Sequence, residues 1–330
     1  MVSIRDFDRF ACIVGAPRCG TTTLSQFLKA HPAVCFPFVK EPHFFVQTDL
    51  RHLTTQALEE QVKREYLDRF FGHCEPGRRV GADASVTYLY SPEQLEPMLR
   101  LWPDSRFVIA VRDPLRMLPS LHSRLFYLGD ENIPSFEEAW AAVPDRTAGR
   151  RIPRTCVEPR WLRYDEAARF GTYVERFFAA VGRERCLVIL FDDLTADPRG
   201  QYERMMRFFG LAPDSNVDLR ARRQGHGVRL PWLQRLLKRP PRRLRQYVAG
   251  EHYRQRERAL DRSARRSASG TERIMTVRKR LLRWNRVPLA QPPISLDVQH
   301  EIRARLQDEV SHLGELIERD LGHWLAPRRP

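Results

Sequence analysis

Three short apolar runs limit what this chain can become: FACIV at Phe10–Val14, RFVIAV at Arg106–Val111, apolar after its leading arginine, and CLVILF at Cys186–Phe191. A strand covered on one face alternates apolar and polar residues, and a strand covered on both faces does not. Each run is followed by a pattern with helical spacing. Leu24, Phe27 and Leu28 fall on one face of Thr22–Ala30. Arg112-Asp113-Pro114 ends the second run, and a helix is expected from there through about Tyr127. Asp197-Pro198 opens a helix ending near Gly210, and Ile302, Leu306, Val310 and Leu313 mark the buried face of a closing one. Further helices are expected over Thr55–Phe71, over Glu166–Val181 and from Ser91-Pro92, with Ser91 as N-cap, and a short strand over Val80–Ala84. Buried strands alternating with amphipathic helices imply an α/β fold of three layers, α/β/α, around a central, mainly parallel sheet. Ligands of such sheets bind at the carboxyl ends of the strands.

The first run leads into GAPRCGTTT, Gly15–Thr23. This is the strand–loop–helix layout of a phosphate cradle, but a nucleotide triphosphatase loop needs lysine directly after its second glycine. Here Gly15 and Gly20 have that spacing and Thr21 follows. The amides of Cys19, Gly20, Thr21, Thr22 and Thr23 are expected to turn into one concavity at a helix N-terminus, where partial positive charge favours an anion. Arg18 and the hydroxyls of Thr21 and Thr22 add donors. The plainer alternative is a tight turn with threonine caps. Arg112, at the carboxyl end of the second strand, suits a second anion on the same edge, with Ser120 eight residues on. Its plainer role is an ion pair with Asp113 or Asp83.

With these elements in place, the chain resembles the sulfotransferases that use 3′-phosphoadenosine-5′-phosphosulfate (PAPS), in particular their bacterial and heparan-sulfate-type branch. GAPRCGTTTL resembles the 5′-phosphosulfate loop, VRDPLRMLPS the 3′-phosphate motif with its Arg112–Ser120 spacing, and KEPHFF (Lys40–Phe45) the segment that carries a catalytic glutamate. The resemblance covers about residues 10–211 and the last 30 or so. It implies the α/β fold with a P-loop-like cradle, and transfer of a sulfuryl group from PAPS to an acceptor hydroxyl or amine, leaving 3′,5′-ADP, with no metal required. Glu41 is then the general base, its pKa expected to be raised by partial burial among Pro42, Phe44 and Phe45, with His43 as the rival base. The plainer role for Glu41 is an ion pair with Lys40. Arg18 stands where the family usually has lysine, and neutralises the leaving phosphate. Tyr173 resembles a tyrosine near the cofactor, with core packing as the alternative. Arg229 lies roughly where a loop closes over the 3′-phosphate, as do Arg222 and Arg223. Lys40, Ser85 and Tyr88 are candidates for the acceptor side, packing being the alternative for the last two. The lysine that heparan-sulfate-type members carry in the segment resembling GADASVTYLY is missing, with Asp83, Ala84 and Ser85 there instead.

The charge sits in one place. Residues 220–286 carry 22 Lys/Arg against four acids, while the whole 330-residue chain is +15. A single catalytic domain is expected, with its core over about 8–219 and 290–327 and a basic, helical insert over about 220–289. Such an insert attracts a polyanionic acceptor or an anionic membrane face; its plainer role is a solvated arm. Nucleic acid is disfavoured, because no base-reading motif accompanies the charge. The acceptor is expected to be a carbohydrate, glycolipid or other small molecule. Six cysteines show no C-x-x-C pair and no zinc-site spacing, so reduced thiols are expected, with Cys19 activated at the helix N-terminus. No run reaches the roughly 20 apolar residues of a membrane span, and the N-terminus lacks an apolar leader, which points to the cytoplasm. Two other readings stand beside this one: a phosphoryl-transfer enzyme with Asp192-Asp193 as a weak metal-binding acid, and a non-catalytic relative that binds nucleotide or polyanion.

Overall fold

A computed structural model of the chain describes residues 2–75, 77–219, 226–240, 270–288 and 293–326. They fall into two compact units. The first comprises Met1–Asp113, Phe170–Arg223 and Asp308–Gly322, and the second Pro114–Arg169, Gln224–Gln307 and His323–Pro330.

The first unit holds a five-stranded sheet: β1 (Arg9–Gly15), β2 (Val34–Cys35), β3 (Val80–Asp83), β4 (Arg106–Val111) and β5 (Cys186–Leu190), in the order β2-β3-β1-β4-β5. Every pairing is parallel, as the unbroken apolar runs require. From Phe10 onwards β1 is buried residue by residue. The chain leaves β1 towards the β2 edge and leaves β4 towards the β5 edge, so the crevice between their carboxyl ends is the switch point where such sheets bind ligands.

The helices follow the expected pattern with four corrections. The helix Thr55–Val62 continues through a wider π turn, Lys63–Leu67, to Phe70, and turns Tyr66 and Leu67 into the core. Glu166–Val181 is not one helix: Tyr164–Ala167 stops and Phe170–Val181 starts afresh. In the first unit the new start is held by Glu309, whose carboxylate accepts from Thr172 N at 2.8 Å and Thr172 Oγ1 at 2.6 Å. Ser91 makes no side-chain cap, because the 3-10 turn Val86–Tyr90 runs straight into it and the next element opens as another 3-10 turn, Pro92–Leu95. Phe191 leaves the strand and begins the helix Phe191–Ala196. Asp197 does cap its helix, accepting from Gly200 N at 2.8 Å.

Aromatic rings fill the space on one side of the sheet. Phe10 lies 4.4 Å from Trp102 and 5.7 Å from Phe71, and Tyr66 lies 5.1 Å from Phe71 and 5.0 Å from Phe44. Phe44 and Phe45 are both buried, so this core grips the segment that carries Glu41.

One cysteine expectation is overturned. Cys35, on β2, and Cys74 form a disulfide across 39 residues; the folded chain, not sequence spacing, brings the two together. His73 joins them, with ligand-type atoms of all three within 4.8 Å. Closing a loop of that length is worth about 4 kcal/mol in the chain-entropy account. Cys35→Ser is therefore expected to lower the denaturant midpoint, and dithiothreitol to destabilise the parent protein but not the variant.

In the second unit, the helix Pro114–Leu128 is accompanied by a fully buried ion pair, Arg146 to Glu131 at 2.7 Å, which Tyr164 OH joins at 2.8 Å. The described parts of the basic segment are two helices, Pro231–Lys238 and Gly270–Trp284, and an antiparallel pair, β6 (His226–Val228) with β7 (Arg286–Pro288). Asn285 ties them, donating to Gln234 Oε1 at 3.1 Å and accepting from Leu230 N at 2.8 Å. Residues 220–225, 241–269 and 289, with Arg222 and Arg223, lie outside the described residues.

Candidate active site

The loop after β1 turns tightly into the start of the helix Thr21–Ala30. Gly15 is pressed by Leu89: a Cβ there would come within 2.7 Å of the Leu89 Cβ. Gly20 sits at φ 89° and opens the helix Thr21–Ala30, and a Cβ on it would meet Leu194 at 2.8 Å. Arg18 also has positive φ, 66°, a conformation that costs roughly 1–2 kcal/mol for a side-chain-bearing residue. The amide of Thr23 is already used by the helix, donating to the Gly20 carbonyl at 2.9 Å. The N–H groups of Thr21 and Thr22, which precede that bond, are the pair a helix start leaves for a ligand. The expected five-amide cradle is narrower by Thr23.

Cys19 corrects a second expectation. It is fully buried, with Sγ 3.5 Å from the Pro17 carbonyl. Burial pushes its thiol well above the ordinary range, and the nearby Arg112 and Arg18 charges do not offset it. This cysteine is inert packing and not an activated thiol.

Arg112, at the end of β4, donates from Nη1 to the Arg18 carbonyl at 3.3 Å and lies over the Phe191 ring at 4.2 Å. The Arg112 side chain thus reaches the backbone of the loop that carries Arg18, beside the start of the helix. Asp83 serves elsewhere. Fully buried, it accepts from Ser85 N at 2.9 Å and from the hydroxyls of Tyr66 and Tyr88 at 2.8 and 2.9 Å. Burial pushes its carboxyl up, against these three donors.

That hub supports the segment after β2. Ser85 Oγ accepts from His43 N at 2.8 Å, and His43 Nδ1 lies 2.8 Å from Thr87 Oγ1. His43 Nε2 faces Glu41 at 3.6 Å, and Lys40 Nζ pairs with the same carboxylate. Burial pushes the Glu41 carboxyl up, but the His43 ring facing it and the Lys40 charge outweigh this and hold the pKa at about 2. The expected upward shift is reversed, and the Lys40 ion pair is present. Ser85 and Tyr88, expected towards the acceptor, are both fully buried; they brace the segment from beneath. Thr87 was not singled out by sequence reasoning, since its contact spans 44 residues and leaves no local signal.

Thr87 and Leu89 lie in the same 3-10 turn, so the turn that fixes His43 also packs on Gly15. The cradle, Arg112 and the Lys40–Glu41–His43 cluster belong to one unit, on the loops after β1, β4 and β2. Tyr173, in the same unit, is half-buried with its ring 4.6 Å from Tyr90. Ser120 and Arg229 belong to the second unit. Ser120 is largely buried in Pro114–Leu128, and Arg229 is exposed with its guanidinium 4.8 Å from the Trp284 ring. Asp193 is held by both Arg319 nitrogens, at 3.0 and 3.2 Å, so it is engaged as an ion-pair partner and not presented to a metal.

Comparisons with known proteins give the family and the fold. The model of the sulfotransferase family, Sulfotransfer_3, matches residues 11–215. Heparan sulfate glucosamine 3-O-sulfotransferase 3A1 of Mus musculus is 26% identical over 210 residues, covering 61% of this chain and 45% of that protein. Protein-tyrosine sulfotransferase 2 of Gallus gallus is 25% identical over 220 residues, covering 62% and 52%. The chain thus spans about half the length of the curated relatives it matches. A sulfotransferase from Alicyclobacillus acidocaldarius shares the fold, with a TM-score of 0.60 at 23% identity, over 96% of this chain and 98% of that one.

Proposed function

Because the chain belongs to the sulfotransferase family, we propose that it transfers a sulfuryl group from PAPS to an acceptor hydroxyl. The observation that carries this reading is the reach of Arg112 to the backbone of the loop that carries Arg18, beside the start of Thr21–Ala30. The cradle suits the donor. The free first-turn amides and Arg18 take the 5′-phosphosulfate, and Arg112, one strand away, takes the 3′-phosphate. The lysine of an ATP loop is not needed, since the cation comes from Arg18, before Gly20.

In the reaction the acceptor oxygen forms a bond to sulfur as the bond from sulfur to the 5′-phosphate oxygen breaks, and 3′,5′-ADP leaves. Glu41 takes the acceptor proton, with His43 and Lys40 fixing its carboxylate. Arg18 has no proton to give and acts by charge on the leaving phosphate. The relatives' names specify hydroxyl acceptors, a glucosamine 3-OH and a tyrosine, which supports O-sulfation and leaves the acceptor to the loop that carries Glu41.

The test is transfer of label from radiolabelled PAPS to a panel of sugars, glycolipids, phenols and peptides, with and without a chelator. Chelator-insensitive labelling supports the reading, and chelator-sensitive transfer from ATP instead would overturn it. Binding of 3′,5′-ADP with no labelling of any acceptor, including a host-cell extract, would make the chain a non-catalytic relative.

The Lys40 ion pair gives a separate prediction. Glu41 is ionised above about pH 2, so the acid limb of kcat/KM should lie below the ordinary carboxylate range. Lys40→Met removes a charge that holds the pKa down. The limb should then move up, by about one pH unit, towards the ordinary value near 4.3. Carboxyl NMR titration of Glu41 in both proteins checks the direction without turnover.

A further inference from the structure

The second unit carries an apolar stripe in the most basic part of the chain. On the helix Gly270–Trp284, Ile274, Val277, Leu281 and Trp284 recur three or four residues apart, and Trp232 and Leu236 project from Pro231–Lys238. All six are between 39 and 64% exposed. Helical spacing of this kind places the four on one face. Met275 and Leu282 occupy the adjacent, buried face of the same helix, so the exposed stripe is a second apolar surface beside the packed one. Contiguous apolar surface of this kind on a soluble unit marks an interaction site.

The charge on these two helices is mainly positive, although Arg239 is already paired with Asp130. Residues 226–240 and 270–288 contain ten Lys/Arg and a single acid, Glu272. Several of the cations are crowded. Lys238 Nζ lies 4.9 Å from the Tyr127 ring centroid, the guanidiniums of Arg124 and Arg286 each lie 5.9 Å from it, and Arg286 Nε donates to Tyr127 OH at 3.1 Å. Arg278 joins the two helices, donating to the Leu237 carbonyl at 3.0 Å, and sits one helical turn from both Ile274 and Leu281. Burial, then the charges of Arg124, Arg278 and Arg286, bring Lys238 down to about 8. Positive charge held this close is relieved by an anion.

We propose that this face docks on an anionic lipid bilayer, with Trp232, Trp284 and the aliphatic stripe entering the interface and the cation cluster taking phosphate headgroups. The stripe is what favours a bilayer over a soluble polyanion. A sulfated glycan is recognised through its charges and gains nothing from exposed isoleucine, leucine and valine. An amphipathic surface with tryptophan on its apolar side and Lys/Arg around it meets both layers of a membrane interface. The inference is independent of the transferase chemistry.

The test is flotation of the full chain with phosphatidylcholine vesicles containing about 30% phosphatidylglycerol, in about 0.1 M salt, against vesicles of phosphatidylcholine alone. Binding is expected only to the anionic vesicles. The variant Trp232→Ser, Ile274→Ser, Leu281→Ser should partition at least about tenfold less while eluting from immobilised heparin at the same salt as the parent. If the variant does not fold, brominated lipid in the same vesicles should quench the parent's tryptophan emission. No flotation, unchanged flotation of a folded variant, or no quenching each overturns the proposal. No flotation of the parent together with its retention on heparin would assign the segment to soluble polyanions.

Discussion

Arg18→Ala is expected to lower turnover by about 10²–10³-fold, the usual cost of removing one preorganised group from developing charge. Arg18→Lys is expected to stay within about tenfold of the parent, since lysine restores a cation at that place. Steady-state kcat with saturating donor is the measurement. The backbone needs a control, because residue 18 has φ 66° and alanine there is strained. Arg18→Gly removes the same charge and relieves the strain. Equal losses in the two variants assign the effect to the guanidinium, whereas a near-normal glycine variant would sink its role in transfer.

Glu41→Gln is the second large effect. Loss of a positioned base costs about 10²–10⁴-fold, and glutamine keeps the shape of the side chain. Binding of 3′,5′-ADP, measured by calorimetry, should be unchanged, because Glu41 lies on the loop after β2 and the donor cradle on the loop after β1. His43→Ala is the companion. Its ring holds the Glu41 carboxylate at 3.6 Å and is itself held by Thr87, so its removal should cost less than Glu41→Gln. If the two losses come out in the opposite order, the histidine is the base and the glutamate its orienting partner.

What could be read in the sequence was what local pattern encodes. β4 was expected and found at Arg106–Val111, because the five consecutive buried apolar residues Phe107–Val111 leave little else for the segment to form. The tight turn after β1 was legible because glycines at 15 and 20 bound a short link between an apolar run and a helical pattern. Long-range contacts left no such trace. The Cys35–Cys74 bond, the Thr87–His43 contact and the Asp83 hub each depend on which strands become neighbours, and strand order is not written in any one segment. The two-residue β2 is too short to show a period. The pKa expectations failed for a related reason. Burial and a Lys40 ion pair were each foreseen for Glu41, but not that the His43 ring would face the same carboxylate and tip the balance, and a helix N-terminus was foreseen for Cys19 but not its complete burial.

The five parallel strands do not share the sheet's constraints equally. β1 is central and bonded on both sides, so any change in its register is felt by β3 and β4 together. β2 is an edge of two residues with a single neighbour. The loop proposed to hold the donor therefore leaves the central strand, and the segment with Glu41 leaves a two-residue edge strand. For the latter, the covalent link from Cys35 to Cys74 supplies the fixity that a ladder of hydrogen bonds gives β1. Changes in the chain between Cys35 and Phe44 therefore leave the β1 ladder itself unaltered.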